Sequence, residues 1–142
     1  MALTNPYDVY QRTQVDTASP VRLILMLYDG AIRFLRQGQD AMQRGDREKQ
    51  NNCLVRAQRI LAELTSSLNI EEGGEIAVNL MALYQFMNEQ LVIANLQDDV
   101  EKVQKVREML ESLREAWAQA ESAVRASSGQ TAQVGAEVLN AA

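Results

Sequence analysis

The chain has 142 residues, of which 46% are hydrophobic, and its 14 basic and 19 acidic residues give a net charge of −5. This length and composition predict one folded domain rather than a disordered chain. The acidic balance argues against nucleic-acid binding, because phosphate contacts need a dense positive surface. The chain has no histidine and a single cysteine, Cys53. It therefore lacks the commonest general base and metal ligand, so we expect no enzymatic activity, no cofactor and no bound metal.

Hydropathy gives no sign of secretion or membrane insertion. The opening MALTNPYDVY has neither a basic segment nor an apolar core of the kind found in signal peptides. Residues 76–96 form the most apolar stretch, but asparagine and glutamine interrupt it too often for a membrane span. We therefore expect a cytoplasmic protein.

Residues 1–19 precede the first clear helix start, yet they carry apolar and aromatic side chains. Tyr7, Tyr10 and Val15 stand at near-helical spacing, which is unusual for a disordered tail. Two interpretations of this N-terminal arm remain open. It is either docked permanently on the folded body or a lid that shields a partner-binding surface until the partner arrives.

The first helix is predicted to begin at Ser19-Pro20, a favourable N-cap followed by proline at the first helical position. Its apolar stripe comprises Ile24, Leu27, Tyr28, Ala31, Leu35 and Met42, and Gly45 is placed to end it. Gly30 lies inside this helix, where glycine costs about 1 kcal/mol relative to alanine. The residue therefore suggests a close approach by another segment.

Three further helices follow. Asp46 is predicted to cap the second helix, which ends before Asn69; a loop with Gly73-Gly74 leads to a third helix over residues 75–96. Asp98 and Glu101 have the spacing of a capping box that opens the fourth. The second helix's stripe is Leu54, Ala57, Leu61, Leu64 and Leu68, and the fourth's is Val103, Val106, Leu110, Leu113, Trp117, Ala120 and Val124.

These elements predict an all-α fold, an antiparallel four-helix bundle over residues 20–126. The arm, residues 1–19, precedes it. The composition of residues 127–142 shifts to Ser, Gly, Gln, Thr and Ala, which indicates a weakly ordered tail.

The third helix has more apolar surface than a bundle helix needs. Glu89 is the only charge between residues 76 and 96. The residues predicted to face the core are Ile76, Leu80, Leu83, Tyr84, Met87, Leu91 and Ala94. A second apolar set is predicted to point away from this face: Val78, Met81, Phe86, Val92 and Ile93. Either this helix is deeply buried, or its second surface is covered by the arm, by a second copy of the chain or by a foreign helix. Such a surface suits the recognition of amphipathic helices, and methionine adapts easily to different partners.

A specific motif spans residues 5–35. It comprises Tyr7, Tyr10-Gln11, Val15, Thr17-Ala18-Ser19-Pro20, Leu23-Ile24 and Met26-Leu27-Tyr28-Asp29-Gly30-Ala31-Ile32. This motif resembles the signature of the flagellin export chaperone family, FliS. The resemblance implies a cytoplasmic bundle that binds the disordered C-terminal helical region of flagellin and prevents its early polymerisation. It also implies delivery to the flagellar type III export apparatus, with a component of the export gate as a further partner.

One alternative from a different functional class stays open. The third-helix surface would also suit a homodimeric helical adaptor that uses this surface for self-association. The oligomeric state of the purified protein, with and without a flagellin C-terminal peptide, separates the two functions.

Overall fold

The computed structural model describes residues 19–127, which form four α-helices. These are α1 (Pro20–Arg44), α2 (Arg47–Ser66), α3 (Ile70–Gln97) and α4 (Val100–Ser127), joined by short connections. No β-strand occurs in this part of the chain, and the predicted all-α four-helix architecture is confirmed. The N-terminal arm and the C-terminal tail predicted from the sequence lie outside the described residues.

The helices pack in a ring in which each contacts its two neighbours, so that α1 and α3 lie diagonally opposite each other. The α1–α2 pair is the most closely packed, and α3 packs less closely against both of its neighbours. Because four helices alternate in direction, Ser19 and the end of α4 lie at the same end of the bundle. The ion pair between Arg22 Nη2 and Glu121 Oε1, 3.8 Å apart, joins the two helices there.

The first two helices begin as their sequence signals predict, but α2 ends at Ser66, so Leu68, predicted as the last residue of its stripe, lies in the connection to α3. The Ser19 hydroxyl accepts a hydrogen bond from the Arg22 amide, and the Asp46 carboxylate accepts one from the Lys49 amide. Gly45 ends α1 in the left-handed conformation with φ 74°, which glycine adopts without steric cost.

The predicted start of the third helix needs a correction. Asn69 caps an additional first turn by accepting a hydrogen bond from the Glu72 amide. Gly74, with φ 54° and ψ −128°, then interrupts the helical geometry before the long segment to Gln97. The glycine pair was predicted to lie in a loop, but only Gly74 departs from the helix, because the Asn69 cap allows a helical turn before it.

The predicted capping box of the fourth helix is wrong by one residue. Asp98 has left-handed geometry, φ 55°, and is the C-cap of α3, so it is not available to start α4. Asp99 takes that role, and its carboxylate accepts a hydrogen bond from the Lys102 amide at 3.2 Å. Asp98 thus caps the end of α3, and Asp99 caps the start of α4.

The core contains most of the predicted stripe residues, but Ala120 and Val124, the last two predicted for the fourth helix, are only half-buried and lie outside it. Tyr28, Tyr84 and Trp117 are buried near its centre, where the Trp117 indole donates a hydrogen bond to the Tyr28 hydroxyl at 3.1 Å. The hydroxyl oxygens of the two tyrosines are 2.5 Å apart. Burial raises the pKa of both tyrosines, because the charged phenolate would be poorly solvated there. Every fully buried side-chain nitrogen or oxygen in residues 19–127 has a partner.

Two glycines of α1 face α2 at short range. A Cβ atom at Gly30 would lie 3.2 Å from Cδ1 of Ile60, and one at Gly38 would lie 3.1 Å from Cδ2 of Leu54. Both glycines are buried. They allow the two helices to pack closely, and this contact offsets the low helix propensity of glycine.

Charged side chains join α1 to α4. Arg114 pairs with Asp29, and Glu111 accepts hydrogen bonds from Arg36 at 2.7 Å and Arg107 at 3.0 Å. Desolvation opposes ionisation of Glu111, but these two guanidinium groups outweigh it and hold the pKa of the carboxyl below its usual range. The edge of the bundle formed by these two helices is thus closed by ion pairs.

Candidate partner-binding surface

The outward face of α3 is apolar along most of its length. Val78, Phe86 and Val92 are 45%, 46% and 41% exposed, and Leu96 is 78% exposed. Met81 and Ile93, which were predicted to belong to the same surface, are half-buried. We call these six residues the α3 surface. Its side chains stand apart from the fully buried core face of the helix, which comprises Ala77, Leu80, Tyr84, Met87, Leu91 and Ala94.

Hydrogen bonds to α2 fix the orientation of α3. The Gln58 amide nitrogen donates to Asn88 Oδ1 at 3.0 Å, and the Asn95 amide nitrogen donates to Asn51 Oδ1 at 2.9 Å. Phe86 and Ile93 each lie two residues before one of these asparagines, which is about 200° around the helix. They therefore point away from α2, whereas Met81, seven residues before Asn88, lies on the same flank of α3 as that asparagine.

A buried glutamine strengthens this attachment where α2 begins and α3 ends. The side-chain nitrogen of Gln50, a residue only 3% exposed, donates to Asn95 Oδ1 at 3.1 Å and to Asp98 Oδ1 at 2.9 Å. Asp98 also pairs with Arg47. This network spans the two helices and compensates for their looser apolar packing.

A groove of about 420 Å³ runs between α2 and α3. Its walls combine apolar and neutral polar side chains: Gln58, Leu61, Ala62, Thr65, Ser66, Tyr84, Gln85, Asn88 and Glu89. The hydroxyls of Thr65 and Ser66 donate to carbonyl oxygens of their own helix, and Gln58 donates to Asn88, so the free polar groups are the Gln85 amide, the Glu89 carboxylate and the remaining amide atoms of Gln58 and Asn88. Together with the adjacent α3 surface, this groove offers a mostly uncharged site for another helix.

Three exposed apolar residues were not among the candidates identified from the sequence. Leu96 extends the α3 surface, since it lies one turn after Val92 and Ile93. Ile70, 42% exposed, lies in the turn before Gly74, and Met26, 49% exposed, is on α1. Spacing would have identified Leu96, whereas Ile70 belongs to a helical turn that the glycine pair after it conceals in the sequence.

The remaining candidates divide into two groups. Tyr7, Tyr10 and Val15 lie outside the described residues. Gly30 lies against Ile60 of α2, as described above.

Within residues 19–127 there is no cluster of three or more His, Cys, Asp or Glu side chains able to hold a metal. None of the helices in this range is sufficiently long and apolar to traverse a bilayer.

Comparison with known proteins identifies the family. The model of the family described as "Flagellar protein FliS" matches residues 3–124. The chain belongs to the FliS family. This match covers residues 3–19 of the N-terminal arm and the four helices as far as residue 124. It confirms the resemblance found in the motif of residues 5–35.

Individual FliS proteins are similar to the chain over most of its length. The flagellar secretion chaperone FliS of Bacillus subtilis is 38% identical over 120 residues, covering 84% of this chain and 89% of the relative. FliS of Vibrio cholerae is 39% identical over 116 residues, covering 79% of this chain and 85% of the relative. FliS of Salmonella typhimurium is also 39% identical, over 113 residues, covering 79% and 84%.

A solved structure described as a flagellar chaperone from bacteria has the same fold. It superposes with a TM-score of 0.70 at 18% identity and covers 83% of this chain and 98% of its own. The family consists of chaperones of flagellar secretion rather than enzymes. The chain is accordingly a flagellar export chaperone, and the expectation of a non-enzymatic function is confirmed.

Proposed function

We propose that this chaperone binds the C-terminal segment of flagellin in the cytoplasm, prevents its premature polymerisation and supports its delivery to the flagellar type III export apparatus. The observation that carries the proposal is the α3 surface. Over residues 76–96 a solvent-facing helix presents apolar side chains and one charge, Glu89. Exposed apolar patches of this kind mark protein interaction sites.

The physical mechanism is helix-in-groove recognition coupled to folding of the partner. A disordered segment that folds on binding loses conformational entropy, and this costs several kcal/mol of the gross interaction energy. At about 25 cal/mol per Å² of buried apolar area, an interface well above 1,000 Å² is needed for stable binding. The α3 surface and the α2–α3 groove would supply the apolar part, and the amides of Gln58, Gln85 and Asn88 would fix the register.

The N-terminal arm takes part in this proposal as a lid. It departs from Ser19, at the end of the bundle where α3 begins. Its 18 preceding residues have an extended reach of about 60 Å, and α3, with its 28 residues, is about 42 Å long. Tyr7, Tyr10 and Val15 would cover part of the α3 surface in the free protein. Flagellin would then displace the arm or recruit it to new contacts.

Charge substitutions on the α3 surface test the proposal. Phe86→Asp and Ile93→Asp should each abolish binding of a flagellin C-terminal peptide in calorimetry, because an unpaired carboxylate buried in the interface costs several kcal/mol. Ala116→Asp, at an exposed position of α4, is the matched control and should bind normally. The free energy of unfolding in urea should change little in Phe86→Asp and Ala116→Asp, and should fall more in Ile93→Asp because Ile93 is half-buried. Unfolding of both α3 variants would instead mean that these residues support the core and that flagellin binds elsewhere.

Self-association through the same surface makes a different prediction. A homodimeric adaptor would sediment as a dimer without flagellin, and Phe86→Asp would convert it to a monomer. A flagellin chaperone should instead form a one-to-one complex with the peptide. Sedimentation of the wild-type chain with and without peptide distinguishes these outcomes.

A further inference from the structure

Three arginines on the α1–α2 side of the bundle have no carboxylate partner among residues 19–127. They are Arg33 on α1 and Arg56 and Arg59 on α2, and all three are exposed. Every other arginine in that range forms an ion pair. Lys49 on α2 and Lys105 on α4 also form no ion pair, so these arginines are three of the five unpaired basic side chains in that range, and none of the three is on α3 or α4.

An aromatic ring holds two of these guanidinium groups in place. The Cζ atom of Arg33 lies 5.2 Å from the ring centroid of Phe34, and that of Arg56, from the other helix, lies 5.6 Å from it. Cation–π contacts use the face of the ring and leave the in-plane N–H groups of each guanidinium free. Those N–H groups match the two oxygens of a carboxylate.

The scaffold below these side chains is closely packed. Gly30 and Gly38 bring α1 close to Ile60 and Leu54 of α2, and Phe34 packs against the core. The two guanidinium groups thus project from helices that are fixed relative to each other. Preorganised donors lose less entropy on binding than mobile ones.

We propose that Arg33, Phe34, Arg56 and Arg59 form a docking surface for an acidic helical segment of a partner protein, separate from the α3 surface. Both Cζ atoms lie within 5.6 Å of the same centroid, so the two guanidinium groups are at most about 11 Å apart. Carboxylates one turn apart on a helix, at about 6 Å, fit within this distance. Glu63 follows Arg59 by one helical turn on α2 and forms no ion pair with it.

The charge distribution favours a peptide over a polyanion. The chain as a whole has a net charge of −5, so a nucleic acid or a strongly anionic membrane would be repelled outside this surface. A short segment with a few carboxylates would make its contacts within the surface. Charge complementarity of this type controls partner choice and association rate more than affinity.

A titration followed by NMR tests the proposal with the full chain. The probe is a helix-forming alanine-based peptide with glutamates at i and i+4, and its matched control has glutamine at those positions. We expect the Nε–H signals of Arg33 and Arg56 to shift with the glutamate peptide only. The double variant Arg33→Gln/Arg56→Gln should weaken binding about tenfold, as loss of two charge-assisted contacts implies. Phe34→Leu, which keeps apolar bulk but removes the ring, should weaken it about threefold.

Controls separate a specific surface from a general charge effect. Arg36→Gln/Arg125→Gln removes the same charge from paired arginines elsewhere and should change affinity less than twofold. Binding of the flagellin peptide to the Arg33/Arg56 double variant should also change less than twofold, so this test can fail independently of the proposed function. Equal loss in both double variants, equal binding of the glutamine peptide, loss of flagellin binding, or stronger arginine-dependent binding to phosphatidylserine vesicles would each overturn the proposal.

Discussion

The hydroxyl oxygens of Tyr28 and Tyr84 are 2.5 Å apart in the centre of the bundle, so the diagonally opposed helices α1 and α3 share a buried hydrogen bond. The Trp117 indole, from α4, donates to the same Tyr28 hydroxyl. Three helices are thus joined at one oxygen atom. Substituting Tyr28, Tyr84 or Trp117 removes a different set of these hydrogen bonds, and the resulting loss of stability can be measured.

Truncation of the tryptophan should be the most damaging change. Trp117 is 2% exposed, and Trp117→Ala should lower the free energy of unfolding by about 3–5 kcal/mol, since a large cavity remains. Urea denaturation followed by circular dichroism measures this loss. Binding of flagellin should weaken only to the extent that the variant unfolds. A stable, folded variant that no longer binds would place Trp117 in the interface instead.

Removing the Tyr28 hydroxyl should destabilise the protein more than removing the Tyr84 hydroxyl. Tyr28→Phe leaves both the Trp117 indole nitrogen and the Tyr84 hydroxyl without their partner and should cost about 1–3 kcal/mol. Tyr84→Phe keeps the Trp117–Tyr28 hydrogen bond and should cost only about 0.5–1.5 kcal/mol. A reversed order, from the same denaturation experiments, would contradict the central role assigned to Tyr28.

Alkaline pH should destabilise the protein through the same pair. Burial raises the pKa of Tyr28 and Tyr84 in the folded state, whereas unfolded tyrosine titrates near pH about 10. Folding therefore favours the neutral phenols. This contribution is complete below pH about 10 and is lost as the pH rises towards the folded-state pKa. The unfolding free energy should fall above pH about 10, and the fall should be smaller in the double variant Tyr28→Phe/Tyr84→Phe.

The two close-packed glycines should respond differently to a methyl group. At Gly30→Ala the new Cβ meets only the end of the half-buried Ile60 side chain, which has room to move, so the helix-propensity gain of up to about 1 kcal/mol should be retained. At Gly38→Ala it meets Leu54, which is fully buried, and lies 3.5 Å from Cβ of Cys53. The second variant should gain nothing or be destabilised. Thermal denaturation of both variants checks this prediction, which would be wrong if Gly38→Ala proved the more stable of the two.

Deletion of residues 1–15 should leave the bundle folded, because the α1 cap at Ser19 is retained. If the arm is a lid, the deletion exposes the α3 surface and increases self-association, which sedimentation measures. Adding Phe86→Asp to the deletion should reverse that increase. Unchanged sedimentation, or an increase that Phe86→Asp leaves intact, would mean that the arm does not cover this surface.

The helices and the core were predictable because their signals are local. Ser19, Asp46 and Gly45 act within one turn, and the apolar stripes repeat with the helical period. The Asp98–Asp99 pair was misassigned because either residue is a good cap. Only the end of α3, where Asp98 takes positive φ, decides between them.

The candidate surface was predictable only in part. Spacing separated Val78, Phe86 and Val92 from the core face, but the partial burial of Met81 and Ile93 depends on how neighbouring helices pack. The contacts of Arg33 and Arg56 with the Phe34 ring could not be predicted from local sequence, since the two arginines reach the ring from different helices. Contacts of this kind follow from the register between α1 and α2, which sequence spacing does not specify.

The chain contains a single tryptophan, and that residue is buried and hydrogen-bonded in the core. Its fluorescence therefore reports the integrity of the bundle, while both proposed binding surfaces lie on the outside. Binding should leave the emission spectrum nearly unchanged, and unfolding should shift it to the red. For any variant that retains Trp117, intrinsic emission thus separates damage to the fold from damage to a binding surface within one sample.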